Sequence, residues 1–235
     1  MRRSALHTLA AVALLSACRA AGAPEQRAAP GAAASAGGEV GVAAGRPGAD
    51  SLALRAAADS GRIQGAPDAR VWFIMASDFQ CPYCARWHDE SYEALRREYI
   101  GTGRVRTAFL NFPLDQHAQA MPAAEAAMCA SAQQKFWPYH SSLYATQARW
   151  GALDDATPVY DSLATAHGLD LARFRSCTRS HVMRALVEAD RDRMQRAGIR
   201  STPSFFVGSQ QIAGAQPTPV FRQALDAALA QRPAQ

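Results

Sequence analysis

The stretch Val71-Trp72-Phe73-Ile74-Met75-Ala76-Ser77-Asp78-Phe79-Gln80-Cys81-Pro82-Tyr83-Cys84 joins a strand-like apolar run to a helix start. Val71 to Ala76 is a short continuous hydrophobic run of the length expected for a buried strand. From Ala85 the pattern changes. Trp87, Tyr92, Leu95 and Tyr99 recur at an approximate 3–4 spacing, which predicts an amphipathic helix running to Gly101-Thr102-Gly103. A Cys-x-x-Cys at such a junction places its first sulfur at a helix N-terminus. Unpaired backbone N–H groups and the positive end of the helix dipole favour a thiolate there. That placement can lower a cysteine pKa from roughly 8.5 to ~3.5–7.5 and make the sulfur reactive at neutral pH. Pro82, which has no N–H, suits the first helical position.

Val105 to Asn111 reads as a second strand, ended by Phe112-Pro113, so the motif sits at the first turn of half a βαβ unit. The stretch from about 116 to 197 reads as helical almost throughout. Its segments are Met121–Gln133, Lys135–Gln147, Thr157–His167 with Thr157 as cap, a helix capped by Asp170, and a stripe formed by Met183, Leu186, Val187, Asp190 and Met194. Gly198 ends that block. Two short strands follow, Ser204–Val207 and Gln210–Ala213, turning at Gly208-Ser209, and a closing helix runs from Thr218 to Ala230. A short helix at Asp50–Ala58 precedes the first strand.

The chain start reads as an export signal. Arg2 and Arg3 precede an apolar run, Leu9–Leu15, too short to span a bilayer. The run closes on Leu15-Ser16-Ala17-Cys18, which resembles the lipobox of bacterial lipoproteins. The resemblance implies a signal peptide over residues 1–17, lipidation of Cys18 and a lipid anchor in a membrane. An ordinary signal peptide with an incidental cysteine is the plainer alternative. Residues 18–50 are Ala, Gly and Pro with scattered polar groups and no aromatic, a flexible tether by composition. Residues 51–235 are enough for one domain with a real core.

The formal net charge is +5, or +3 once Arg2 and Arg3 leave with the signal. Lys135 is the only lysine, and the arginines are spread without a basic stripe or interleaved aromatics, so nucleic-acid binding has no support. Setting Cys18 aside leaves Cys81, Cys84, Cys129 and Cys177. An even count in an exported chain is compatible with two disulfides. Cys81 and Cys84 pair by proximity and leave Cys129 and Cys177 for each other; two buried free thiols are the alternative. Half a zinc site is the competing reading of Cys-x-x-Cys. No second Cys-x-x-Cys or His pair at ligand spacing accompanies it, so neither a metal nor another cofactor is expected.

The element order βαβ, helical block, ββα predicts an α/β chain with the thioredoxin fold and an inserted helical subdomain. Ser77-Asp78-Phe79-Gln80-Cys81-Pro82-Tyr83-Cys84 resembles the active-site segment of DsbA-like thiol–disulfide oxidoreductases. Asn111-Phe112-Pro113-Leu114 with His117, the Ala123–Lys135 segment leading to Phe136-Trp137, and Thr202-Pro203-Ser204-Phe205-Phe206-Val207 carry the same resemblance. It implies that Cys81 is an exposed nucleophile, Cys84 a buried resolving cysteine, and Pro82 and Tyr83 the residues that tune them. It also implies a cis peptide bond before Pro203, with Thr202 offering backbone to substrate. An X–Pro bond is cis in only about 5–6% of cases, so that expectation rests on the resemblance alone. Many relatives carry a second cysteine pair where Cys129 and Cys177 stand, implying a structural disulfide.

One departure stands out. Relatives usually place a buried Glu or Asp six residues before the first cysteine as proton acceptor for the resolving thiol; here that residue is Met75. Proton transfer at Cys84 must then use water or another group. Asp78 reads as a helix cap, and His88 as part of a solvated helix face. The other histidines form no ligand constellation by spacing, and Asp190 has no evident role. The function expected is a monomeric, exported, membrane-anchored disulfide oxidase. Its partners would be cysteine-containing protein substrates and a redox partner that resets the disulfide. A reductase on the same fold, or a thioredoxin-like binding or metal-delivery lipoprotein, are the alternatives. The expected location is the extracytoplasmic face of the cell envelope, with the outer membrane preferred because Arg19 after Cys18 is not the aspartate that resembles a retention signal.

Overall fold

In the computed structural model, which describes residues 49–231, five strands form one sheet. They are β1 (Ile63–Gln64), β2 (Val71–Ser77), β3 (Val105–Asn111), β4 (Ser204–Val207) and β5 (Gln210–Ala213), in the order β1-β3-β2-β4-β5. The expected signal peptide, Cys18 and the expected tether up to residue 48 lie outside the described residues. β2 runs parallel to β3, with Val71 opposite Val105 and Ser77 opposite Asn111. It runs antiparallel to β4, with Phe73 opposite Val207 and Ala76 opposite Ser204. The two-residue edge strand β1 was not visible in the sequence pattern, being too short to show any period.

Alternation along β2 decides what each face buries. Phe73 and Met75 point into the main core, where Phe73 meets Phe205 at 5.7 Å and Phe221 at 6.0 Å. Ala76 points the other way, into a smaller cluster with Leu110, Phe112, Met194 and Ile199. The helix after the motif starts as α2 (Pro82–Trp87) and runs on through a π-helical turn (His88–Tyr92), α3 (Glu93–Leu95) and a second π turn (Arg96–Ile100). Trp87 closes it onto the sheet, 4.4 Å from the Phe205 ring.

Before the sheet comes α1 (Ala49–Gly61). Between β3 and β4 lie α4 (Ala120–Ser131), α5 (Phe136–Ala145), α6 (Gln147–Trp150), α7 (Thr157–Ala166), α8 (Leu171–Arg179) and α9 (Arg184–Arg196), and α10 (Thr218–Ala230) closes the chain. The α/β thioredoxin fold with an inserted helical subdomain is therefore present. Alanines make α4 a packing hub, because small side chains let neighbours approach. At the end of α1, a Cβ on Gly61 would lie 2.5 Å from the Ser131 carbonyl oxygen of α4.

Asp170 caps α8, accepting from Arg173 N at 3.0 Å. At α7 the capping group is Asp155, which accepts from Thr157 N at 2.9 Å, rather than Thr157 itself. Asp190, without a role in the sequence, is fully buried on α9. It accepts from Asn111 N and Nδ2 at 3.1 and 3.0 Å and pairs with buried Arg62.

Candidate active site

Cys81 is the N-cap residue of α2, in extended conformation, and makes no side-chain cap. Its carbonyl accepts the first helical bonds from Cys84 N and Ala85 N, at 3.1 and 3.2 Å, and the N–H groups of Tyr83 and Cys84 face its sulfur. Across the site, the Thr202–Pro203 peptide bond is cis, and the Cys81 sulfur lies 3.6 Å from the Thr202 carbonyl oxygen. The loop before β4 and the start of α2 thus meet although 121 residues separate them.

The two sulfurs are electrostatically unequal. The Cys81 thiol is pushed down to about 6 by the hydrogen bond from Cys84, against the opposing effect of burial. The Thr202 hydroxyl and the N–H groups of Cys84 and Tyr83 add to the lowering. Burial pushes Cys84 well up, and the neighbouring Cys81 charge pushes it further. Both cysteines are free thiols. Cys81 is 3% exposed rather than openly exposed as expected, since the Thr202 loop lies over it; it is still shallower than Cys84 at 1%. The outward feature is Tyr83, 57% exposed, with Arg86 stacked 5.2 Å from its ring centre.

Several residues that hold this site left no signal in the sequence. Gln147 Nε2 donates to the carbonyls of Phe79 and Cys81, at 2.7 and 3.1 Å. Gln80 donates to Gly151 O and accepts from Gln119 N, both at 2.6 Å, latching the motif loop to the helical block. Asp78 does not cap the helix. Its carboxylate is fully buried and accepts from Gln80 N at 2.7 Å, Leu114 N at 3.0 Å and His117 Nδ1 at 2.7 Å. The β3–α4 loop supplies two of those donors, so the aspartate is turned away from the helix end. His88 is not on a solvated face either. It packs against the rings of Tyr92, Tyr144 and His140 at 5.0–5.2 Å, on the face of α2 that also buries Cys84, four residues earlier.

Cys129 on α4 and Cys177 on α8 are joined by a disulfide. Among the described residues, no group of three or more His, Cys, Asp or Glu is placed to hold a metal ion, and no helix is long and apolar enough to cross a membrane. Cys18, expected to carry lipid, lies outside the described residues.

The model of a thioredoxin family matches residues 57–227, which include both sides of the site. The chain belongs to the thioredoxin family. Within that family it is similar to proteins of disulfide bond formation. It is 27% identical over 150 residues to a probable disulfide bond formation protein D of Bacillus anthracis, covering 61% of this chain and 67% of that protein. The structure of alpha-DsbA1 from Wolbachia pipientis is similar in fold, with a TM-score of 0.64 and 21% identity over 72% of this chain and 90% of that one. The chain is also 32% identical over 159 residues to a Na(+)/H(+) antiporter NhaA 3 of Salinispora tropica. That match takes in 66% of this chain and only 23% of the antiporter, so the chain spans less than a quarter of that relative's length.

Proposed function

We propose that this thioredoxin-family chain is an exported thiol–disulfide oxidoreductase that forms disulfides in envelope or secreted proteins. The observation that carries the reading is the inequality at Cys81 and Cys84: a sulfur held as thiolate at an open helix end beside a buried partner held as thiol. In the oxidised protein a substrate thiolate attacks the Cys81 sulfur, the Cys81–Cys84 bond breaks, and Cys84 leaves with the electron pair and takes a proton. A second substrate thiolate then attacks the substrate sulfur of the mixed disulfide, forming the substrate disulfide and releasing Cys81 as thiolate. Stabilising that thiolate stabilises the reduced protein, which makes the disulfide a better oxidant and favours the oxidase direction.

Tyr83 and the Thr202 backbone flank the Cys81 sulfur, which supports docking of an extended cysteine-bearing segment alongside the loop before β4. A redox partner would restore the disulfide, and lipid on Cys18 would hold the monomer at the extracytoplasmic face of a membrane, the outer one preferred. Equilibration of Cys81–Cys84 against glutathione, followed by Trp87 fluorescence with Cys81→Ser as control, tests the direction. A potential well above the glutathione couple is expected. One near or below thioredoxin's would make the chain a reductase. Cys18→Ala is expected to release the protein from the membrane fraction, and its retention would remove the lipid anchor.

A further inference from the structure

Two carbonyls of the motif loop are answered from the helical insertion. The turn Asp78–Cys81 closes through Cys81 N on Asp78 O at 3.2 Å, with Gln80 N on the Asp78 carboxylate at 2.7 Å. Those bonds use amides of the turn, not the carbonyls of Phe79 and Cys81. The Phe79 carbonyl meets one donor among the described residues, Gln147 Nε2 at 2.7 Å. The same nitrogen donates to the Cys81 carbonyl at 3.1 Å, where Cys84 N and Ala85 N also arrive. One side-chain NH2, with its two hydrogens, spans the residues on either side of Gln80.

Gln147 heads α6, and that short helix is itself well anchored. Trp150 at its other end is fully buried, its Nε1 donating to Leu143 O at 2.9 Å and its ring 5.8 Å from that of Tyr160. Gly151 follows. Its N bonds Gln147 O at 2.8 Å, and its carbonyl accepts from Gln80 Nε2 at 2.6 Å. Both ends of α6 therefore hold the loop: Gln147 takes Phe79 and Cys81, and Gly151 takes Gln80 between them. The sheet and α2 carry the two cysteines, but the insertion holds the three residues that lead into the first of them.

We propose that Gln147 is a positioning residue for Cys81, through which the helical insertion sets how firmly the thiolate is held and how strong an oxidant the disulfide is. This rests on the reading that Cys81–Cys84 exchanges disulfides. Cys81 has φ −70° and ψ 122°, an extended conformation at the helix N-cap. In that conformation its sulfur lies 3.6 Å from the Thr202 carbonyl oxygen. The Cys81 carbonyl, and with it ψ, is what Gln147 fixes. Freed of that bond, the peptide plane after Cys81 can turn, and the sulfur loses its alignment with the helix start. A donor on the Cys81 oxygen also draws off part of the negative charge that the residue would otherwise set near its own thiolate.

The test reads the sulfur rather than the fold. Iodoacetamide labelling of Cys81 across pH and equilibration with glutathione are measured on the unaltered chain, Gln147→Met and Gln147→Glu, with urea unfolding alongside. Met keeps the length of the side chain without a donor; Glu keeps its shape but sets oxygen against both carbonyls. Gln147 is half-buried at the edge of the core, so both variants are expected to fold. The labelling midpoint, near pH 6 in the unaltered protein, is expected to rise by about one unit in Gln147→Met and further in Gln147→Glu, whose carboxylate also repels the thiolate. At pH 7 a rise of one unit weakens the disulfide as an oxidant by roughly fivefold in its equilibrium with glutathione. An unchanged midpoint and glutathione equilibrium in the folded variants, whatever their stability in urea, would overturn the proposal, since Gln147 would then brace the loop and no more. A midpoint near that of a free thiol in the unaltered protein would instead remove the oxidase reading, and this one with it.

Discussion

Four cysteines of this domain form two pairs with opposite fates. Cys81 and Cys84 stand three residues apart at a helix start and are free; Cys129 and Cys177 stand 48 apart, inside α4 and α8, and are bonded. Both pairs are buried, so burial does not separate them. What differs is the state of the backbone nearby. At the head of α2 the N–H groups of Tyr83 and Cys84 are aimed at one sulfur of the pair, that of Cys81. Cys129 and Cys177 instead lie inside α4 and α8, where the amides nearby serve the helix. The lesson is that a pair of cysteines becomes reactive where the fold aims backbone N–H groups at one sulfur only. Where both sides are equivalent, the pair becomes a strut.

That contrast can be broken by exchanging losses. Cys81→Ser is expected to reduce exchange with a disulfide-containing peptide to the uncatalysed rate, whereas replacing Cys129 and Cys177 by Ala is expected to leave exchange intact in the folded protein. The same double replacement should lower unfolding stability by about 4 kcal/mol, the chain-entropy value for a loop of this length, while Cys81→Ser should not approach that loss. Urea titration of both variants at one pH checks the pair of expectations. Equal stability losses would erase the division between reactive pair and strut.

The contrast is sharpened by pH. The Cys81 pKa falls from 9.0 to about 6 on folding, so the reduced folded protein holds fewer protons than the unfolded chain between those values. Thiolate stabilisation is therefore complete above 9.0, declines as pH falls, and is gone below about 6. Iodoacetamide should label Cys81 at half its maximal rate near pH 6 and leave Cys84 untouched; a midpoint near that of a free thiol would mean that the helix end has no hold on Cys81. The smallest effect belongs to the insertion alone. Asp170→Ala removes the α8 cap and should cost about 1 kcal/mol, with no change in the labelling midpoint.

The order of strands and helices, the helix start at Pro82 and the cap at Asp170 were legible because each depends on residues close together in the chain. Asp78 was misread for the opposite reason. Its position just ahead of a helix is a local capping signal, but its partners Leu114 and His117 arrive from a loop 36 and 39 residues away. His88 was misread because a polar residue was set on the outer face, although its spacing of four from buried Cys84 puts it on the inner one, where α5 supplies the rings of His140 and Tyr144. Asp190 stood unexplained on an apolar stripe because its guanidinium partner lies 128 residues earlier, beside a strand too short to detect. The cis bond at Pro203 was reached only through resemblance, since the residues Thr-Pro say nothing of isomer by themselves.

The Arg62–Asp190 pair also bears on how the helical block is joined to the sheet. Arg62 sits between the first helix and the edge strand, Asn111 ends a central strand, and Asp190 belongs to the last helix of the insertion. A buried charge deprived of its counter-charge costs about 3–5 kcal/mol, more than many domains can spare. Removing the helical block would leave buried Arg62 with Asp59 of the first helix as its remaining counter-charge, and trimming the chain back to β2 would take Arg62 from Asp190. The insertion is therefore electrically joined to its scaffold, and a version of the domain without it would have to rebalance the charge at Arg62.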